Sequence, residues 1–82
     1  MRDFIKTLNN ILTSYSKGNK YSAYQKLKKI SIKYPNDEKI NFNLALMEQD
    51  QGLFKQAKEN YKKLIKNFNN NNAKINLYIL YI

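Results

Sequence analysis

Apolar residues recur along this 82-residue chain at helical spacing, in five successive stretches. Phe4, Ile5, Leu8, Ile11, Leu12 and Tyr15 form one stripe, and Ala23, Leu27, Ile30 and Tyr34 a second. Ile40, Leu44 and Met47 follow, then Phe54, Ala57, Tyr61, Leu64 and Phe68. The last stretch, Ile75-Asn76-Leu77-Tyr78-Ile79-Leu80-Tyr81-Ile82, is apolar around nearly its whole circumference. Polar breaks separate them. Asp3 and Asp37 stand where a side-chain oxygen can cap a helix, Gly18 and Gly52 where a left-handed residue can end one, and Pro35 where a helix must stop. The pattern predicts helices at about 3–17, 20–34, 37–51, 53–67 and 73–82, an all-α chain.

These stretches repeat. A shift of 34 residues aligns Asn9 with Asn43, Leu12 with Leu46, Gly18 with Gly52, Ala23 with Ala57 and Asn36 with Asn70. Similar residues fall into line as well: Leu8 with Phe42, Leu27 with Tyr61, Ile30 with Leu64, Tyr34 with Phe68. A shift of 35 then lays Lys39-Ile40-Asn41-Phe42 over Lys74-Ile75-Asn76-Leu77, as if Asn69–Asn72 carried one inserted residue. One domain over 1–82 follows, with repeat one at about 4–37, repeat two at about 38–71 and a partial third at 72–82.

A 34-residue helix–turn–helix unit with these markers resembles the tetratricopeptide repeat family. Asn43-Leu44-Ala45 is similar to that family's step in the first helix, and Gly52, Phe54, Ala57 and Tyr61 to its glycine–aromatic–alanine–aromatic run. Gly18, Ala23, Leu27 and Pro35 match in the first unit. Thr7, Asn41 and Asn69 depart from the pattern, where large residues and a closing proline are usual. The resemblance implies stacked helical hairpins in a right-handed superhelix, its concave face lined by the first helix of each unit. Groove positions implied are Asn9, Tyr15, Lys39, Phe42, Asn43, Gln49, Lys74 and Tyr78, beside Leu8, Leu12, Leu46, Asp50, Leu77 and Tyr81. One variant of the family grips a partner's C-terminal carboxylate with lysine, asparagine and arginine. Asn43 and Lys74 match two of its five positions, but Leu8, Leu12 and Tyr78 occupy the others, so that clamp is not expected here.

Composition narrows the chemistry. Cysteine and histidine are both absent, which removes disulfides, thiolate metal sites and the commonest general base. Six carboxylates remain. Asp3 and Asp37 read as caps, Glu59 sits one turn before Lys62 and Lys63, and Glu48 and Asp50 point apart around a helix. No glycine-rich phosphate loop is present. The expectation is a protein without catalytic activity, cofactor or metal.

Net charge is +9, carried by 14 Lys and one Arg. Base composition accounts for this simply, because 13 Asn, 9 Ile and 7 Tyr accompany those lysines and all are written with A and T. Sequence-selective nucleic-acid binding leans on the forked guanidinium, which is nearly absent. Lys26, Lys28, Lys29, Lys33, Lys55, Lys58, Lys62, Lys63 and Lys66 would form a basic stripe on the second helices.

The longest apolar run, Leu77–Ile82, is far short of the roughly 20 residues that span a bilayer. The opening Met1–Lys6 is not a secretory leader, so the expected location is the cytoplasm. The leading functional expectation is a protein–protein interaction scaffold holding a peptide or helix in the groove. One alternative is an N-terminal module of a longer bacterial protein, for example ahead of a transferase domain. Another is a basic surface that binds nucleic acid or anionic membrane. Self-association through the apolar last helix, around Ile79, Leu80 and Ile82, is also expected.

Overall fold

The computed structural model describes residues 4–82. Five helices follow one another: α1 Phe4–Ser16, α2 Lys20–Lys33, α3 Glu38–Asp50, α4 Phe54–Phe68 and α5 Asn71–Tyr81. No strand occurs among the described residues. Each helix packs on the next in the chain, most extensively α3 on α4, in a body of 33 × 29 × 17 Å.

The turns show why the helices end where they do. Gly18 (φ 103°) closes α1, with Gly18 N–H donating to the Tyr15 carbonyl and Asn19 N–H to the Ser14 carbonyl. Gly52 (φ 79°) closes α3 through the same pair of bonds, to Gln49 and Glu48. This double bond needs a left-handed residue, which glycine adopts without strain. Asn69 (φ 51°) performs that task after α4. Two helix starts are capped by side chains. Asp37 Oδ1 accepts from Ile40 N–H at 2.9 Å, as its position suggested, and Asn70 Oδ1 accepts from Ala73 N–H at 2.8 Å. The cap expected at Asp3 lies outside the described residues.

The caps revise the register of the last helix. Asp37 and Asn70 stand 33 residues apart, not 35. The α2–α3 turn spans residues 34–37, whereas Asn69 and Asn70 alone connect α4 to α5. The asparagine run is therefore not an insertion. Its first member ends one helix, its second caps the next, and α5 starts at Asn71 rather than 73.

Two buried clusters hold the helices together. The first joins Phe4, Leu8 and Ile11 of α1, Ala23, Tyr24 and Leu27 of α2, and Ile40, Leu44 and Met47 of α3. The second joins Ala45 with Ala57, Tyr61, Leu64 and Ala73, flanked by Phe42, Leu77 and Leu80. Helix α3 thus supplies one face to each cluster. Ala23 and Ala57 are both fully buried, as the 34-residue register requires, and Leu27 and Tyr61 fill equivalent central places. Phe54 departs from the stripe assigned to it and lies half exposed. Its neighbour Leu53 turns inward against the first cluster instead. Ile5 is likewise exposed, while Tyr34 stays partly covered by packing on the Phe4 ring, 4.8 Å between centroids.

Candidate binding cleft between α1 and α3

A cleft of about 250 Å³ lies where α1 and α3 run side by side. Leu12, Leu46 and Met47 form its apolar floor, and Tyr15, Asn43 and Asp50 its polar rim. Leu12 and Leu46 occupy equivalent places in successive units. Each is incompletely buried because α2 and α4 cover the opposite faces of their helices.

The rim is held in place by contacts of its own. The Tyr15 hydroxyl donates to Asp50 Oδ2 at 2.5 Å, and the Lys20 ammonium lies 3.1 Å from the same oxygen. Lys20 also stands over the Tyr15 ring, 5.6 Å from its centroid. Burial and the Asp50 carboxylate together push the Tyr15 phenol up to about 12. Reciprocally, the Tyr15 hydrogen bond and then Lys20 hold Asp50 below the usual carboxylate range. Asn43 Nδ2 donates to the Lys39 carbonyl, one turn back.

Behind this rim stands a second polar group that spacing alone did not single out. Glu48 is 3% exposed, yet Oε2 accepts from the Tyr24 hydroxyl at 2.7 Å and Oε1 from Asn60 Nδ2 at 2.6 Å. It ties α2 and α4 to α3. A carboxylate facing inward is costly unless hydrogen-bonded, and here both oxygens are satisfied. Burial, and then Glu48, push the Tyr24 phenol up. No group of three His, Cys, Asp or Glu side chains among the described residues could hold a metal ion.

Of the groove residues expected, Tyr15 and Asn43 meet in the cleft, with Leu12, Leu46 and Asp50. Asn9 and Lys39 are exposed on α1 and α3. Leu8 is core. Phe42 turns toward the second cluster, its ring 6.2 Å from that of Tyr61, and Gln49 accepts from the Tyr61 hydroxyl. Lys74 and Tyr78 were placed by the 35-residue shift and stand elsewhere. At 100° per residue, each lies about 160° around α5 from Asn76, and both are exposed. Leu77 packs on the second cluster, and Tyr81 lies beneath the Lys58 and Lys62 ammonium groups.

The residue that does match Asn9 and Asn43 is Asn76, 33 beyond Asn43. Its Nδ2 donates to the Tyr61 hydroxyl at 3.3 Å. Aligning the caps Asp37 and Asn70, rather than the Lys-Ile-Asn strings, would have found it. The result is one amide at the same position of α1, α3 and α5.

A second cleft, of about 350 Å³, opens between α1 and α2. Ile11 and Ile30 form its floor and Lys26 and Lys29 part of its rim. The exposed lysines of α2 and α4 lie partly over the protein's own rings: Lys28 over Tyr24, Lys33 over Tyr34. No helix among the described residues is long and apolar enough to cross a membrane.

Comparison of the chain with protein-family models, curated proteins and solved structures finds no match in any of the three. The class the geometry defines is an array of five consecutively packed helices with a cleft on the face of its odd-numbered members.

Proposed function

We propose that this protein is a tetratricopeptide-type interaction module that holds a segment of a partner protein along α1 and α3. The observation that carries this reading is the α1–α3 cleft, with Leu12 and Leu46 as floor and Asn43, Tyr15 and Asp50 as rim. An apolar floor takes a partner's apolar side chain, and a few placed polar groups fix its orientation. An amide side chain offers one donor side and one acceptor side, the same pair a peptide main chain presents. Asn9, Asn43 and Asn76, one per odd helix, suit an extended segment crossing all three. The Tyr15–Asp50–Lys20 lock supports the reading too, because a rim already ordered loses little entropy on binding.

Selecting peptides from a random display library against the chain, then mapping the bound peptide by amide chemical shifts, tests this. Shifts should concentrate at Leu12, Tyr15, Asn43 and Leu46. Asn43→Ala or Leu46→Lys should weaken binding about tenfold or more, the size of a significant interface contact, with little change in melting temperature. Shifts confined to the lysines of α2 and α4, with steep salt dependence, would favour the polyanion reading instead.

A further inference from the structure

Helix α5 carries a face that nothing in the fold covers. The 33-residue register sets Phe42, Ala45 and Gln49 of α3 against Ile75, Tyr78 and Ile82 of α5. In α3 that face is closed by α4: Ala45 is fully buried beside Ala57 and Tyr61, Phe42 packs on Tyr61, and Gln49 accepts from the Tyr61 hydroxyl. In α5 the same positions face outward. Ile75 is 58%, Tyr78 69%, Ile79 51% and Ile82 88% exposed. Leu80 is not part of this face, because it turns back against the second cluster.

We propose that a second copy of this chain covers the face, with the two α5 helices pairing antiparallel about a two-fold axis. Charge selects this occupant. The chain carries +9, yet Ile75, Tyr78, Ile79 and Ile82 include no charged residue, so two such faces meet without opposing like charges. Head-to-tail stacking on α1 lacks that advantage. The α1 positions equivalent to Ile40, Leu44 and Met47 are Lys6, Asn10 and Thr13, all polar and exposed, and the neighbouring cleft is rimmed by Lys26 and Lys29. The N-terminal end of the array is therefore a polar cap and the C-terminal end an adhesive face. A two-fold pairing of like faces closes at two copies.

The four side chains expose on the order of 500 Å² per copy, somewhat below the roughly 800 Å² per partner of a standard stable interface. A dimer dissociating in the tens of micromolar follows, as an order of magnitude. In an antiparallel pair Ile79 lies at the axis opposite its own copy, and Ile75 meets the partner's Ile82.

Sedimentation equilibrium of the 82-residue chain, from about 5 μM to 1 mM, tests the proposal. The expected result is a rise in mass from 9.8 kDa to twice that value, with no further growth. Ile79→Lys and Ile79→Glu should each be monomeric with undiminished helical circular dichroism, since Ile79 is half exposed and outside both clusters. Mixing the two variants should restore the pair, because opposite charges then meet at the axis. A wild-type chain monomeric up to 1 mM would overturn the proposal. So would a dimer unaffected by Ile79→Lys, a mixture that stays monomeric, or a mass growing beyond two copies, which is the signature of head-to-tail assembly. Peptide binding in the α1–α3 cleft is read separately, so either inference can fail alone.

Discussion

At the scale of single residues, the side chain with the largest structural consequence is Glu48. It is buried in the second turn from the end of α3 and receives hydrogen bonds from Tyr24 of α2 and Asn60 of α4. Glu48→Ala would strand a phenol and an amide in the core, and we expect it to cost about 2–4 kcal/mol by urea unfolding. Glu48→Gln keeps the shape and part of the bonding and should cost about 1 kcal/mol. The tyrosines around it make stability depend on pH at the alkaline end. Burial and the neighbouring carboxylates raise Tyr15 to about 12 and move Tyr24 upward as well, whereas an unfolded tyrosine titrates near 10. The folded state holds those protons more tightly, so this contribution is complete below about pH 10 and is lost as pH climbs toward 12. Urea midpoints of the wild type and Tyr24→Phe should therefore converge between pH 9 and 11.5. A gap that stays constant over that range would exclude the coupling.

At the scale of elements, the fold depends on how closely neighbouring helices approach and on where each begins. Ala57 is fully buried in the second cluster with Ala45 and Tyr61. Ala57→Leu inserts three carbons where there is no room and should cost roughly 1–3 kcal/mol; an unchanged melting curve would refute the crossing. Asn70 is the start signal of α5, and Asn70→Ala should cost about 1 kcal/mol, while Asn70→Asp should be tolerated. The asparagine run shows where reading by similarity misleads. Matching Lys39-Ile40-Asn41-Phe42 to Lys74-Ile75-Asn76-Leu77 rewards identical letters, but a helix face is set by distance from its cap. A slip of two residues rotates a helical position by about 200°. That rotation is why Lys74 and Tyr78 were assigned to the groove and Asn76 was not.

At the scale of the whole molecule, charge and the shape of the array govern behaviour. A chain of net charge +9 repels itself, so its melting temperature should rise with added salt up to about 0.5 M, where the Debye length is only a few ångströms. Association with polyanions should be weak and vanish by physiological salt, since these lysines act as diffuse point charges. A titration with single-stranded RNA or heparin at 20 and 150 mM salt checks this. Retained, sequence-selective binding at the higher salt would make the basic face a recognition surface.

Much of this protein is written in its linear pattern. Apolar spacing sets five helices, Gly18, Gly52 and Pro35 set their ends, and the equivalence of Ala23 with Ala57 sets two hairpins, because each depends on residues within one or two turns of chain. Other features needed the packed molecule. Whether Leu12 and Leu46 floor a cleft, which side of α5 faces inward, and that Glu48 rather than a surface acid is the buried carboxylate all depend on which faces neighbouring helices cover. A helical stripe records that a face is apolar but not what lies against it. The last helix shows this most plainly: apolar nearly all round, its inner face became Ala73, Leu77 and Leu80 only once Asn70 started the helix and α4 lay beside it.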